Sequence, residues 1–229
     1  MNYGMILDVA LQLIAVFMAI VFHEVAHGYM ALRLGDPTAK NLGRLTLNPL
    51  AHIDPIGTIL VPAVMILLTG MGFGWAKPVP VNPRYFRNPF RGMLFVALAG
   101  PGTNIALALG ATLVGQLLLL MVPSTSTFAA SSFGVNLLMA LFTVLAFLVL
   151  YNLFFAVLNL VPIPPLDGSR VLTYFLPTEG RRIMLQMERY GFIIVVGLFY
   201  FHVLDGLFRA ATTLALQLLG ERWIGLVFR

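Results

Sequence analysis

The sequence contains no cysteine, and only 10% of its 229 residues are charged. The lack of cysteine excludes disulfide bonds and thiolate metal ligands. A soluble domain carries about 25% charged residues, so this low charge content argues against a soluble protein. The formal net charge of +5 does not indicate nucleic-acid binding, because the basic residues form short clusters beside apolar stretches. That distribution is typical of membrane orientation and of contacts with anionic lipid headgroups.

The sequence contains several long apolar stretches. The sequence is 59% hydrophobic, and several of its apolar runs approach or exceed the roughly 20 residues that a bilayer-spanning helix needs. We therefore predict an all-α polytopic membrane protein, with one membrane-embedded domain over residues 1–229 and about five to six membrane segments. The predicted long helices cover residues 5–34, 89–121, 133–160 and, in shorter pieces near the C-terminus, 181–220.

The region between the first two long helices, residues 35–88, is rich in Gly, Asn and Pro. Short extended pieces between these residues predict a small membrane-associated β-hairpin over Lys40–Ile53. Prolines recur in residues 73–89 and exclude a regular helix there. Irregular backbone at bilayer depth is tolerated only when it is buried in protein or lines a wet cavity. We therefore predict a re-entrant proline-rich loop in this region.

The basic residues also predict an orientation. Residues 1–32 contain no Lys or Arg, whereas 33–55, 77–91 and 166–189 contain several. The positive-inside rule places the N-terminus outside and these three basic regions on the cytoplasmic side.

The stretch "VFHEVAHGYM" (residues 21–30) interrupts the first apolar run with ionisable side chains. Each such side chain costs roughly 2.5–3.5 kcal/mol at bilayer depth on insertion scales. His23 and His27 are four residues apart and share one helix face, with Glu24 beside them. This is the H-E-x-x-H pattern, in which two imidazoles bind zinc and the glutamate transfers protons. The alternative is interhelical hydrogen bonding without a metal.

A catalytic zinc usually takes three protein ligands and leaves a position for water. Three side chains are candidates for the third ligand: His52, Asp54 and Asp167. Asp167 follows a long apolar helix in "NLVPIPPLDGSR", where it could instead cap the next helix. For His52 and Asp54 the alternative is ordinary turn chemistry. The residues alone leave this choice open.

Three segments together resemble one known family. "FHEVAHG", "AGPGTN" and "NLVPIPPLDG" are similar to the site-2 protease family of intramembrane zinc metalloproteases, in its minimal-core branch without a PDZ domain. That family pairs H-E-x-x-H with a distal N-x-x-P-x-x-x-x-D-G, here residues 159–168. The resemblance implies one zinc ion per chain, with His23, His27 and Asp167 as ligands. It also implies that Glu24 is the catalytic base.

The resemblance further implies hydrolysis of a peptide bond in or near a transmembrane segment, as in regulated intramembrane proteolysis. The expected partners are a transmembrane protein substrate and the lipid bilayer, without nucleic acid. The sequence does not indicate an oligomeric state. The expected location is the cell membrane of a bacterium or archaeon, with the active site toward the cytoplasm.

A transmembrane substrate must unwind before cleavage, and its backbone groups then need new partners. An exposed strand edge could supply them, and the predicted hairpin contributes Thr46 and Leu47 as candidate substrate-binding residues. The resemblance suggests that Asn104 and Asn159 lie near the site and bind substrate. Interhelical hydrogen bonds are their alternative role.

A membrane zinc transporter or another metal-binding membrane protein is the alternative function. Ion pathways usually place polar or acidic residues on several helices. No charged residue occurs between Arg91 and Asp167, which argues against a transport path.

Overall fold

The computed structural model describes residues 3–61, 67, 76–122 and 133–228. All the regular secondary structure of these residues is helical, and they contain no strand. The helices are α1 (Tyr3–Arg33), α2 (Thr38–Asn41), α3 (Pro89–Met121), α4 (Phe133–Asn159), α5 (Asp167–Phe175), α6 (Thr178–Met187), α7 (Gly191–Tyr200) and α8 (Asp205–Val227). The all-α prediction is therefore confirmed in this part of the chain.

Four stretches among the described residues are long and apolar enough to cross a bilayer. They are Ile6–Arg33, Pro89–Met121, Gly134–Asn159 and Thr178–Tyr200. With these stretches the chain is an integral membrane protein. The larger predicted number of five to six segments stays a prediction. Most of residues 62–75, where a further segment and part of the re-entrant loop were predicted, lie outside the described residues.

The predicted β-hairpin over Lys40–Ile53 is wrong, because these residues form α2, a loop and a 3₁₀ turn at Pro49–His52. At the start of this turn, a side chain forms a hydrogen bond with a nearby backbone group. Asn48 accepts a hydrogen bond from the Leu50 N–H at 3.1 Å. Asn next to Pro occurs both in strand-ending turns and in such capped turns, so composition did not distinguish the two.

The chain divides into two compact units. The first unit consists of Met1–Ala19, Asn104–Val157 and Gly206–Arg229. Its core contains Trp223, whose ring packs edge-on against Phe142 and whose Nε1–H donates to the Phe142 carbonyl at 3.2 Å. A Cβ at Gly115 would overlap this indole ring. Small residues at helix contacts allow such close approach in membrane proteins.

The second unit consists of Ile20–Thr103 and Leu158–Asp205. It contains the second half of α1, the first half of α3 and the short helices α5 to α7. A small apolar cluster of Ala31, Phe86 and Val96 lies in this unit. All the residues that form the site described next belong to the second unit.

Candidate metal centre

Helix α1 presents His23 and His27 on one face, as their spacing of one helical turn requires. Both residues are buried. Their Nε2 atoms lie 2.9 Å apart, and their rings meet edge to face with centroids 4.5 Å apart.

Asp167 is the first residue of helix α5 and points at the same place. Its Oδ2 atom lies 3.2 Å from Nε2 of His23 and 3.2 Å from Nε2 of His27. The cap position of α5 belongs to Leu166, and no side chain among the described residues caps this helix. Arg170, the basic residue nearest in sequence, pairs with Glu188 at 3.5 Å. Asp167 is thus directed at the two imidazoles rather than at a cap or a cation.

The Asp167 carboxyl is buried among these groups. Burial alone would favour its neutral form, but the adjacent His23 and His27 rings outweigh burial and hold its pKa below the usual range. Its Oδ2 atom is buried and lacks a hydrogen-bond donor of good geometry among the described residues. An ionised oxygen of this kind, beside two ring nitrogens, matches the chemistry of a cation ligand.

The three atoms fit the geometry of zinc. Zinc bonds to imidazole nitrogen and carboxylate oxygen at about 2.0–2.2 Å in a tetrahedron, which separates the ligand atoms by about 3.3–3.6 Å. The observed separations are 2.9, 3.2 and 3.2 Å. These separations are slightly shorter than the edges of such a tetrahedron. Two nitrogens and one oxygen also leave the fourth position open, as in catalytic zinc sites.

Helix α3 positions the imidazole of His27. The Nδ1 atom of His27 lies 2.7 Å from the carbonyl oxygen of Val96. With the proton on Nδ1, this nitrogen donates to the carbonyl and leaves the lone pair of Nε2 directed at Asp167 and His23. Such an outer hydrogen bond fixes the tautomer and the orientation of a metal-binding histidine.

Two glycines make room around the ligands. A Cβ on Gly100 of α3 would lie 2.5 Å from ring atoms of both His23 and His27. A Cβ on Gly168 would lie 2.3 Å from the carbonyl oxygen of Leu160. The first glycine lets α3 contact the imidazoles, and the second lets the start of α5 pack against the chain that follows α4.

Glu24 lies next to His23 on α1 and is partly buried. Its Oε2 atom accepts a hydrogen bond from the backbone N–H of Val79 at 2.8 Å. Glu24 is not one of the three residues that surround the candidate metal position.

The other two candidates for the third ligand lie elsewhere. His52 is buried, and its Nε2 atom lies 2.9 Å from the carbonyl oxygen of Thr46. Asp54 accepts a hydrogen bond from the Ile56 N–H at 3.0 Å, at the start of a single π-helical turn. Among the described residues, the metal-binding group consists of His23, His27 and Asp167.

The predicted substrate-binding residues are dispersed. Asn104 is fully buried, and its Nδ2 donates to the carbonyl of Ala19 at 3.1 Å and to Oδ1 of Asn152 at 2.7 Å. This arrangement favours interhelical hydrogen bonding for Asn104. Asn159 is partly buried at the C-terminal end of α4.

Thr46 and Leu47 lie in the loop that precedes the Pro49–His52 turn, with Leu47 exposed. Substrate binding by the four residues Asn104, Asn159, Thr46 and Leu47 stays a prediction.

Several contributions to the site were missed from the sequence. Val96 and Val79 contribute backbone groups, which any residue could supply. Asn152, which was also missed, belongs to the first unit rather than to the site and pairs there with Asn104. Gly100 belongs to the quoted "AGPGTN" segment, and a glycine inside an otherwise apolar helix was a usable signal of close approach.

A helical membrane protein with two imidazoles and a carboxylate around one point, and with H-E-x-x-H on its first helix, belongs to the class of membrane metallopeptidases. A comparison with family models matches residues 11–202 to peptidase family M50. Because this match covers most of the chain, the chain belongs to peptidase family M50. The resemblance to site-2 proteases is confirmed, and the chain is a zinc metalloprotease.

Three curated proteins illustrate the similarity. "Putative zinc metalloprotease YwhC" of Bacillus subtilis is 40% identical over 188 residues, which cover 81% of this chain and 78% of that protein. "Putative zinc metalloprotease Rip2" of Mycolicibacterium smegmatis is 32% identical over 182 residues, 78% of this chain and 62% of that protein. "Putative zinc metalloprotease MJ0611" of Methanocaldococcus jannaschii is 29% identical over 169 residues, 74% of this chain and 72% of that protein. No solved structure gives a significant match.

Proposed function

We propose that this zinc metalloprotease hydrolyses peptide bonds in or near the transmembrane segments of other membrane proteins, as a step in regulated intramembrane proteolysis. One observation carries the proposal: His23, His27 and Asp167 converge within the second unit, with Glu24 beside them on an apolar helix. A transmembrane protein in the same bilayer is the substrate that diffuses to such a site. Membership of a peptidase family favours this function over zinc transport.

In the proposed mechanism His23, His27 and Asp167 hold the zinc ion. When bound, zinc supplies a Lewis acid that activates water and polarises a carbonyl group. Glu24 takes the proton of the attacking water and delivers it to the leaving nitrogen of the cleaved peptide bond. The hydrogen bond that Nδ1–H of His27 donates to the Val96 carbonyl keeps Nε2 of His27 available as a ligand.

The proposed orientation places the N-terminus outside and the active site toward the cytoplasm, in a bacterial or archaeal cell membrane. The basic residues that follow α1 and those of α6 support this orientation. Five to six membrane segments, one of them a re-entrant loop within residues 56–88, complete the proposed topology.

The substrate must present an extended backbone to the site. We propose that the loop at Thr46 and Leu47 binds part of the unwound segment, with Asn159 near the cleaved bond. Proline cannot donate a backbone hydrogen bond. Leu47→Pro should therefore lower turnover more than Leu47→Ile while both variants retain zinc, and equal turnover of the two would exclude this loop.

Co-expression with a panel of single-span membrane proteins tests the function. Each candidate is tagged at both ends and expressed with the wild type or with Glu24→Gln. A substrate should be cut within the membrane by the wild type and should stay intact with the variant. Glu179→Gln, which makes the same change at an exposed glutamate of α6, serves as the matched control. Equal cleavage with wild type and Glu24→Gln would contradict the proposal.

A further inference from the structure

Residues 77–82, with the sequence KPVPVN, form an irregular segment that lies against helix α1; we refer to them as segment 77–82. Its middle residue Val79 donates its backbone N–H to Oε2 of Glu24 at 2.8 Å. The Val79 side chain is buried, and a Cβ at Gly28 would lie 2.7 Å from it. Segment 77–82 therefore packs against α1 one turn beyond Glu24, with the Val79 side chain against Gly28, where any larger residue would collide with it.

Hydrogen bonds hold the segment on both sides of Val79. On the N-terminal side, Nη2 of Arg44 donates to the Lys77 carbonyl at 2.9 Å. On the C-terminal side, the Asn82 N–H donates to Oδ2 of Asp36 at 2.6 Å. Asp36, three residues beyond the end of α1, is fully buried and also accepts a hydrogen bond from the N–H of Thr38 at 2.9 Å.

Proline makes the segment stiff. Pro78 and Pro80 flank Val79, and proline fixes φ near −65° and has no N–H. The amides that remain belong to Lys77, Val79, Val81 and Asn82. The Lys77 amide donates to the His52 carbonyl at 2.9 Å, so three of the four amides donate to groups outside the segment. A short chain with few accessible conformations and fixed ends keeps its central N–H in one place.

This N–H contacts the group that the proposed mechanism uses as a base. A carboxylate has two oxygens that accept hydrogen bonds. A fixed donor on Oε2 restricts rotation of the Glu24 side chain and leaves Oε1 for the proton of water. Positioning of this kind accounts for large factors in rate, because misplacement by about 1 Å can cost about 100-fold.

We propose that segment 77–82 positions the Glu24 carboxylate through the Val79 N–H, and that Arg44 and Asp36 are positioning residues that hold this segment in place. The inference rests on the proposed function, since it assigns Glu24 its orientation as the base. It adds residues outside both sequence motifs to the machinery of the reaction. The opposite role, a lid that blocks Glu24 until substrate arrives, is an outcome of the test.

Hydrogen–deuterium exchange on the zinc-loaded protein tests the contact without any measurement of activity. The prolines leave four exchangeable amides in segment 77–82, so loss of a single bond is visible. Gln retains a side-chain oxygen that accepts the Val79 N–H, whereas Ala does not. Protection should therefore persist in Glu24→Gln and fall at least about tenfold in Glu24→Ala. Equal protection in both variants would overturn the proposal.

Kinetics test the consequence for the reaction. Arg44→Gln shortens the side chain that donates to the Lys77 carbonyl and removes its charge. Arg84→Gln serves as the control, because it makes the same change at an exposed residue just beyond the segment. The probe is a fluorophore–quencher peptide with one apolar helix in detergent micelles. Arg44→Gln should lower kcat about tenfold, less than the roughly 100-fold that misplacement of a catalytic group by about 1 Å can cost. KM, zinc content and the Arg84→Gln kinetics should stay near wild type.

Partial rescue of kcat by Arg44→Lys, which retains a charged donor, is also expected. A rise in kcat with Arg44→Gln would show a lid and overturn the positioning role, as would an unchanged kcat. The exchange result separates the two proposals. If amide protection in segment 77–82 falls in Glu24→Ala as expected, but the wild type cuts no panel member and no peptide, the proposed function fails while the contact stands. If Glu24→Gln abolishes cleavage but exchange shows no contact, only the positioning fails.

Discussion

Nδ1 of His27 lies 2.7 Å from the carbonyl oxygen of Val96, a residue of helix α3. The two residues are far apart in the sequence, and the contact involves no side chain of Val96. It leaves Nε2 of His27 as the atom that meets Asp167. Helix α3 contributes no metal ligand, but it determines which imidazole nitrogen is available.

The ligand assignment predicts a pattern of zinc contents. His23→Ala, His27→Ala and Asp167→Ala should each lose most of the single zinc ion, because each removes one of the three protein ligands. Glu24→Gln should retain it, because Glu24 is not among the surrounding ligands. Zinc is measured by elemental analysis of protein purified in detergent. His52→Ala is the control, and zinc loss in this variant together with full zinc in Asp167→Ala would refute the assignment.

A methyl group at position 100 should disturb both imidazoles. Gly100→Ala places a Cβ within 2.5 Å of the His23 and His27 rings, so the rings or α3 must shift. Zinc affinity should fall at least about tenfold, as it does when groups that orient metal ligands are lost. Competition with a fluorescent chelator measures this affinity.

The same helix offers a matched control at Gly102, where an added Cβ has no neighbour within 4 Å among the described residues. Gly102→Ala should bind zinc like the wild type. Similar affinities for Gly100→Ala and Gly102→Ala would show that the close approach at position 100 is unimportant for the site.

Substitution of Gly168 by alanine should be as disruptive as substitution of Gly100, but for a different reason. Gly168→Ala brings a Cβ within 2.3 Å of the Leu160 carbonyl oxygen, and backbone cannot move as easily as a flexible side chain. The start of α5 should shift and carry Asp167 away from the histidines. We expect loss of cleavage and reduced zinc content, with the protein still extracted as a monodisperse species. Gly197→Ala on α7, where no atom of the described residues lies within 4 Å of the added carbon, should behave as wild type. Zinc-replete, active Gly168→Ala enzyme would contradict the expectation.

Single cysteines can test the orientation, because the wild type contains none. A cysteine near the N-terminus, or at Ser126 outside the described residues, should react with a membrane-impermeant maleimide in intact cells. Cysteines at Arg44 and Arg181 should react only after permeabilisation. External labelling at position 44 would reverse the orientation and move the active site away from the cytoplasm.

The parts of the structure that the sequence predicted are those governed by local rules. Long apolar composition predicted α3 at 89–121 and α4 at 133–160, and these helices cover Pro89–Met121 and Phe133–Asn159. One helical turn between His23 and His27 dictated that they face the same way. Asp167 required the family resemblance, because no periodicity connects it to α1.

Other features were beyond sequence reasoning for physical reasons. The hairpin prediction failed at Asn48, because asparagine is common both in capped turns and at strand ends. Residue type alone therefore did not distinguish the two structures. The donor Val79 and the acceptor Val96 act through their backbones, which all residues share. Only the tertiary structure shows which peptide groups meet the site.

The order of the three ligands along the chain has a consequence for protein synthesis. The ribosome makes His23, Glu24 and His27 early, and these residues enter the membrane within the first helix. Asp167 follows only after α3 and α4 have been made. In the proposed mechanism, a nascent or prematurely terminated chain therefore carries the base and two histidines but no complete metal centre. Proteolytic competence therefore arises only when most of the polypeptide, through Asp167, has been made.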